Sequence, residues 1–395
     1  MGRLAPPAEG GIGATLFLLV AVNTATSYFL RPLEVVLALR TPLYEAHLAA
    51  GARMVEFAGW DMPVQYKGVL EEHAAVRENV GIFDVSHMGE VTIDGAGALE
   101  SAQRLVTNDL SKCADGQAQY SALCNEKGGV IDDIIVYRYS PSRLFICVNA
   151  SGREKDFTWM KDHAEGARVE QRSDDWAQIA IQGPQAAALV DQLCQPKVID
   201  LAYYHFRDAT VAGVPGCIVA RTGYTGEDGF EVFVPPGGAR KLWDTLVAKG
   251  ATPCGLGARD SLRLEVAYRL YGNDMDEDHT PLEAGLAWIV KLEKPSGFIG
   301  SDALKQQKAQ GLKRRLIGFK LTGKGIARHG YPVLKDGQRV GEVTSGTMSP
   351  VLKEPIGLAY VPTDLSRIGT AFDVEVRGKP VAAQVVKTPF VEKIK

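Results

Sequence analysis

A basic excess is missing from this 395-residue chain, in which 44 Lys and Arg stand against 47 Asp and Glu for a net charge of -3. Nucleic-acid binders carry a clear positive surplus, so composition gives no general reason to expect one. No two of the six cysteines, Cys113, Cys124, Cys147, Cys194, Cys217 and Cys254, are spaced as C-x-x-C, and several lie in apolar runs such as FICVNA. Buried free thiols are expected, not disulfides. The histidines (His47, His73, His87, His163, His205, His279, His329) include no pair at metal-ligand spacing, so no metal site is expected. The apolar run Gly11 to Val22 is too short to cross a bilayer. No membrane association is expected.

Nucleotide and nucleophile signatures are absent as well. GFKLTGKG, Gly318 to Gly325, has glycine where a phosphate-binding loop needs Ser or Thr, and no helical pattern follows. A strand ending in a turn is the better reading. GLGARD lacks the third glycine of a dinucleotide fingerprint. NDMDEDHT alternates Asp274, Asp276 and Asp278, yet has His279 where a calcium loop needs glycine, and reads as a solvated acidic loop. No G-x-S-x-G elbow occurs. An enzyme built this way would work by positioning reactants and by a carboxylate.

What is present is α+β patterning. Residues 1–40 stand apart and are set aside as an extension, disordered or from a misplaced start; their few basic residues fit a targeting segment poorly. A helix is expected over Val69 to Asn79 with Leu70, Ala74 and Val76 on its apolar side, then a strand at GEVTIDG and a helix at ALESAQRLV. The turn signals Lys127-Gly128-Gly129 and Ser140-Pro141-Ser142 separate β-branched runs and predict an antiparallel meander. Helices return at REKDFTWMKDHA, PQAAALVDQL and GARKLWDTLVAKG. GCIVART and FEVFVP make a hairpin, and from about Lys313 short strands with Gly turns predict a small β-barrel.

The hairpin turn, RTGYTGEDGFEVFVP, packs three glycines before a strand on which Phe230, Val232 and Val234 share one face and Glu231 and Phe233 the other. If the second face is exposed, Glu231 is an ordinary strand acid. If it is buried, the carboxylate needs donors, as a planar heterocycle could supply.

The ordered set GIFDVSHMGE, LVTNDL, NEKGGVIDDIIVYR, IAIQGP, RTGYTGEDGFE, GLGARDSLRLEVAYRLYGND and TPLEAGLAWIVKLEK, from Thr41 to about Phe390, resembles the aminomethyltransferase (T-protein) family of the glycine cleavage system. The resemblance implies three domains around a tetrahydrofolate site: 41–66 with 151–255, 67–150 with 256–295, and a barrel over 296–395. It implies transfer of the aminomethyl carbon from the lipoyl arm of H-protein to the co-substrate tetrahydrofolate, releasing ammonia. Asp109 aligns with the aspartate near folate N10, Glu231 and Arg259 with the pterin-binding pair, Trp288 with a pocket aromatic and Tyr224 less closely with another. By residue type alone Asp109 is a turn or cap residue, Arg259 and Arg263 solvated surface, and Trp288 core. A monomer in the cytoplasm is expected, or in the mitochondrial matrix of a eukaryote. The rivals are a folate-dependent demethylase of sarcosine-like amines and a non-enzymatic folate-binding protein of iron–sulfur assembly. Neither a flavin-binding half nor a KGCYxGQE-type signature is present.

Overall fold

The computed structural model describes residues 38–392, so most of the set-aside extension lies outside the described residues. Its last positions do not: Leu39–Arg40 is a strand paired parallel to Trp60–Gln65, which also pairs with Arg53–Phe57.

The sheets are dominated by neighbouring strands paired antiparallel, as expected where short strands alternate with tight turns. A five-stranded sheet runs in the order Gln117–Cys124, Val130–Ser140, Arg143–Val148, Gly89–Asp94, Arg168–Gln171. A seven-stranded sheet runs Cys194–Gln195, Phe206–Val211, Val214–Ala220, Gly229–Val234, Ala177–Gln182, Gly81–Asp84, Thr252–Pro253, with only the last pair parallel. Six strands between Arg314 and Val386 close into a barrel. Gly81–Asp84 joins the seven-stranded sheet, and Arg168–Gln171 joins the five-stranded one. Both are four-residue strands beside longer helices, too short to show their partner by periodicity.

The seven-stranded and five-stranded sheets each bury one face under helices. Phe230, Val232 and Val234 pack with Leu242, Trp243 and Leu246 of the helix Pro236–Ala248. The inner faces of the two sheets meet each other. Phe233 sits edge-on to Tyr137 and Phe145, with ring centroids 5.6 and 5.0 Å away. Such edge-to-face pairs add roughly 0.5–1.5 kcal/mol each beyond their buried area. Glu231 shares this inner face, so it enters the interior with Phe233.

Two polar segments behave differently from their patterns. In the helix Val69–Glu78, Leu70 is 69% exposed, and the buried positions are Glu72, His73 and Val76. The Glu72 carboxylate accepts the amides of Tyr66, Gly68 and Gly255 at 2.6, 3.1 and 2.8 Å. Those donors offset its desolvation and make the acid the buried residue. Arg263 and Asp274 are likewise not at the surface. They form a buried salt bridge of 2.6 Å, with Ser345 donating to Asp274 at 2.7 Å. All six cysteines are free and buried. Among the described residues no helix is long and apolar enough to cross a membrane.

Candidate functional site

The glycines of RTGYTGEDGFE serve close packing. A Cβ on Gly223 would come within 2.0 Å of the Gln182 side-chain oxygen. Gly226 has φ +84°, a left-handed conformation that favours glycine. Gln182 locks the turn, its amide donating to the Thr222 carbonyl at 3.1 Å and its oxygen accepting the Thr225 hydroxyl at 2.9 Å. The turn carries Tyr224 and delivers the strand Gly229–Val234 with Glu231 facing inward.

Glu231 is 7% exposed. Its Oε2 accepts the Thr222 hydroxyl at 2.6 Å, and its Oε1 accepts the Gln178 amide at 3.1 Å. Burial pushes its carboxyl above the ordinary range, against the pull of Thr222, Arg259 and Gln178. Arg259 projects from the helix Leu256–Glu265, and its guanidinium lies over the Tyr224 ring, 4.7 Å from the centroid. Burial lowers its pKa and the Glu231 charge opposes that. The two groups line the same cavity and act on each other electrostatically.

Asp109 is both a cap and a cavity residue. It is the N-cap of the short turn Leu110–Lys112. Its Oδ1 accepts the Gln103 amide at 2.6 Å, the Ser111 hydroxyl at 2.6 Å and the Ser111 N–H at 3.1 Å. Burial would raise its pKa, but the bonds from Ser111 and Gln103 outweigh it and hold the carboxyl below the ordinary range. Among the described residues, Oδ2 meets only the exposed Lys112 ammonium, at 3.8 Å.

One cavity of about 830 Å³ is lined by Asp109, Glu231, Arg259, Tyr224 and Trp288 together. Trp288 is 60% exposed at its edge, not core, and stacks on Tyr120 with centroids 5.8 Å apart. The sequence reading missed other lining groups. Asp133 accepts the Tyr120 hydroxyl at 2.9 Å and the Asn149 amide at 2.9 Å, and burial with the neighbouring Asp132 charge pushes it up to about 7. His87, held down to about 4 by burial and by Arg259, lines the same wall. The signal was available for the acids: two consecutive aspartates inside VIDDIIVY put one carboxylate on each face of a strand.

A cavity of this size, mostly apolar with a buried acid, a guanidinium and a separately held acid in its wall, has the character of a small-molecule site. Residues 43–294 match the family model described as GCVT N-terminal domain, and residues 314–392 match the glycine cleavage T-protein C-terminal barrel domain. The chain is similar to an aminomethyltransferase of Rubrobacter xylanophilus, 52% identical over 353 residues covering 89% of this chain and 94% of the relative. It is similar to one of Desulfitobacterium hafniense, 48% identical over 357 residues covering 89% and 97%. The solved glycine cleavage system aminomethyltransferase T of Bartonella henselae superposes with a TM-score of 0.85 at 36% identity, covering 90% of this chain and 98% of that one. The chain belongs to the glycine cleavage T-protein family.

Proposed function

We propose that this cavity binds tetrahydrofolate and carries out the aminomethyl transfer of glycine cleavage. The pterin lies with its ring N–H and amino group on Glu231 and its carbonyl on Arg259, between Tyr224 and Trp288. Asp109 lies near N5 and N10. The observation that carries the reading is the convergence of these five side chains, drawn from four separate segments, on one cavity.

The chemistry follows from the arrangement. The aminomethyl group arrives on the sulfur of the lipoyl arm of H-protein, and its C–S and C–N bonds both break. N5 and N10 each form a bond to that carbon. Of the two N–H protons folate loses, one ends on the sulfur and one on the departing ammonia, giving dihydrolipoyl H-protein and 5,10-methylenetetrahydrofolate. Fixing N5 against the carbon turns an encounter into an effectively intramolecular step. The Asp109 carboxylate, ionised because its folded pKa is depressed, accepts from or orients N10. The reaction so written calls for no metal. Formation of methylenetetrahydrofolate and ammonia from aminomethylated H-protein tests the reading. Ammonia-free demethylation of sarcosine-like amines, or folate binding without turnover, would favour the rivals, for which no observation here speaks.

Three domains, a monomeric state and a cytoplasmic location belong to the same reading. Its carrier surface is the basic run Lys305, Lys308, Lys313, Arg314, Arg315, Lys320, Lys324 and Arg328. Lys305, Arg314 and Lys320 are engaged with Asp302, Glu283 and Glu354, whereas Lys308, Lys313, Arg315 and Lys324 are exposed. An acidic carrier docked there is held by screened charge. Raising the salt from about 0.05 to about 0.5 M should weaken H-protein binding on the order of tenfold, measured by titration calorimetry. Affinity insensitive to salt removes this surface from the docking.

A further inference from the structure

Behind the Asp109 loop lies a lysine with no access to the cavity. Lys294 is 6% exposed. Its ammonium donates to the carbonyl oxygens of Gln103, Val106 and Asn108, the last at 2.8 Å. All three N–H donors of the head group are thereby committed to the backbone. Two of the acceptors belong to the last turn and C-cap of the helix Ala98–Leu105, where unpaired carbonyls and the helix dipole favour a cation. The third belongs to the residue before Asp109. The lysine's own segment is tied to the same stretch, with Lys291 N–H donating to Thr107 O at 2.9 Å and Ile299 N–H to Arg104 O at 3.0 Å. The Phe298 ring covers the ammonium at 5.1 Å.

Gln103 links this buried cation to the carboxylate. Its carbonyl takes a bond from Lys294, while its side-chain amide donates to Asp109 Oδ1 and its side-chain oxygen accepts the Leu110 N–H at 2.8 Å. Gln103 is therefore gripped at both ends, and Asp109 is aimed through it. We propose that Lys294 is a positioning residue for the transfer reaction, holding the Asp109 loop in register and keeping a positive charge behind that carboxylate.

The reason to have a cation here follows from the surroundings. Burial pulls the Lys294 ammonium down to about 7, and the Asp109 charge opposes that pull. A neutral amine has only two donors for three carbonyls, so the observed bonds fit the charged form. Attraction between Lys294 and Asp109 favours the ammonium form of the one and the ionised form of the other.

This inference rests on the proposed role of Asp109, and the test separates the two. Lys294→Met removes the charge and the three bonds; Lys294→Arg keeps the charge but cannot reproduce three bonds from one nitrogen. Turnover is measured against pH for both variants, for Asp109→Asn and for Lys294→Met/Asp109→Asn, each with circular dichroism as a folding control. In Lys294→Met, turnover should fall about 10–100-fold and the acid limb should move to higher pH, because the carboxylate loses its buried cation and keeps only the exposed Lys112 beside it. In Lys294→Arg the acid limb should stay in place while turnover falls. The double variant should be no slower than Asp109→Asn alone, since residues acting as a unit are not additive. If Asp109→Asn is slow but the limb stays put in Lys294→Met, or the two losses multiply, the Lys294 assignment is overturned and that of Asp109 stands. Near-normal turnover in Asp109→Asn overturns both. Should Lys294→Met fail to fold, a Lys294→Arg limb displaced to higher pH overturns the proposal by itself.

Discussion

Asp109→Asn should lower turnover by about 10²–10⁴-fold, the usual range for a positioned acid or base, while tetrahydrofolate affinity changes only a few-fold. The substitution is close to isosteric, and the three donors on Oδ1 still meet an oxygen. The local cap survives, so the loss cannot be ascribed to the loop. What disappears is Oδ2 as an acceptor, replaced by an N–H₂ that would repel the N–H of N10 in the proposed pose. Single-turnover rates with aminomethylated H-protein, alongside folate binding by calorimetry, separate the two effects. The wild-type acid limb should lie low. The carboxyl is held below its ordinary range, so activity supported by its ionised form is present at neutral pH and is lost only as pH falls through that depressed value.

Glu231→Gln should act on binding instead. An ionised carboxylate accepting two adjacent N–H groups makes charge-assisted bonds of about 1.5–3 kcal/mol each. Glutamine keeps one acceptor and turns a donor against the other. A loss of roughly 2.7 kcal/mol, or about 100-fold in Kd, is expected. The pH dependence has the opposite placement from that of Asp109. The Glu231 carboxyl is raised by burial, so folate affinity should climb as pH rises through that raised value and fall below it, where the neutral acid predominates. In Glu231→Gln this rise should vanish. Calorimetry over a pH series that starts in the ordinary carboxylate range and extends upward reads both quantities. Unchanged affinity with an intact rise would place the pterin elsewhere.

Much of the architecture was legible because its elements are local. The meander from Gln117 to Val148 is written in alternating β-branched residues broken by Gly-Gly and Ser-Pro-Ser turns, and the barrel in short strands with glycine turns. Antiparallel neighbours need no information from far along the chain. Long-range partners were less visible. Leu70 looked like an apolar anchor and is exposed, because the Gly255 N–H, far along the chain, donates to Glu72 and makes that acid the buried residue instead. Asp274 looked like solvated loop and is buried, because Ser345, far along the chain, donates to it while Arg263 of the preceding helix pairs with it. For the candidate site, residue type alone left Glu231 undecided and put Trp288 in the core. Alternation fixed which residues share the face of Glu231, but only the second sheet, packed on Phe233, makes that face interior. Lys294 gave no sign, since its acceptors are backbone carbonyls that no side-chain pattern encodes.

A crystal structure of this chain soaked with tetrahydrofolate is the most direct measurement. The expected result is the pteridine amino edge within about 3.2 Å of Glu231, and N10 within the same reach of Asp109 Oδ2. Folate bound with its ring outside the cavity, or inside it with Asp109 facing only solvent, would contradict the shared-site assignment.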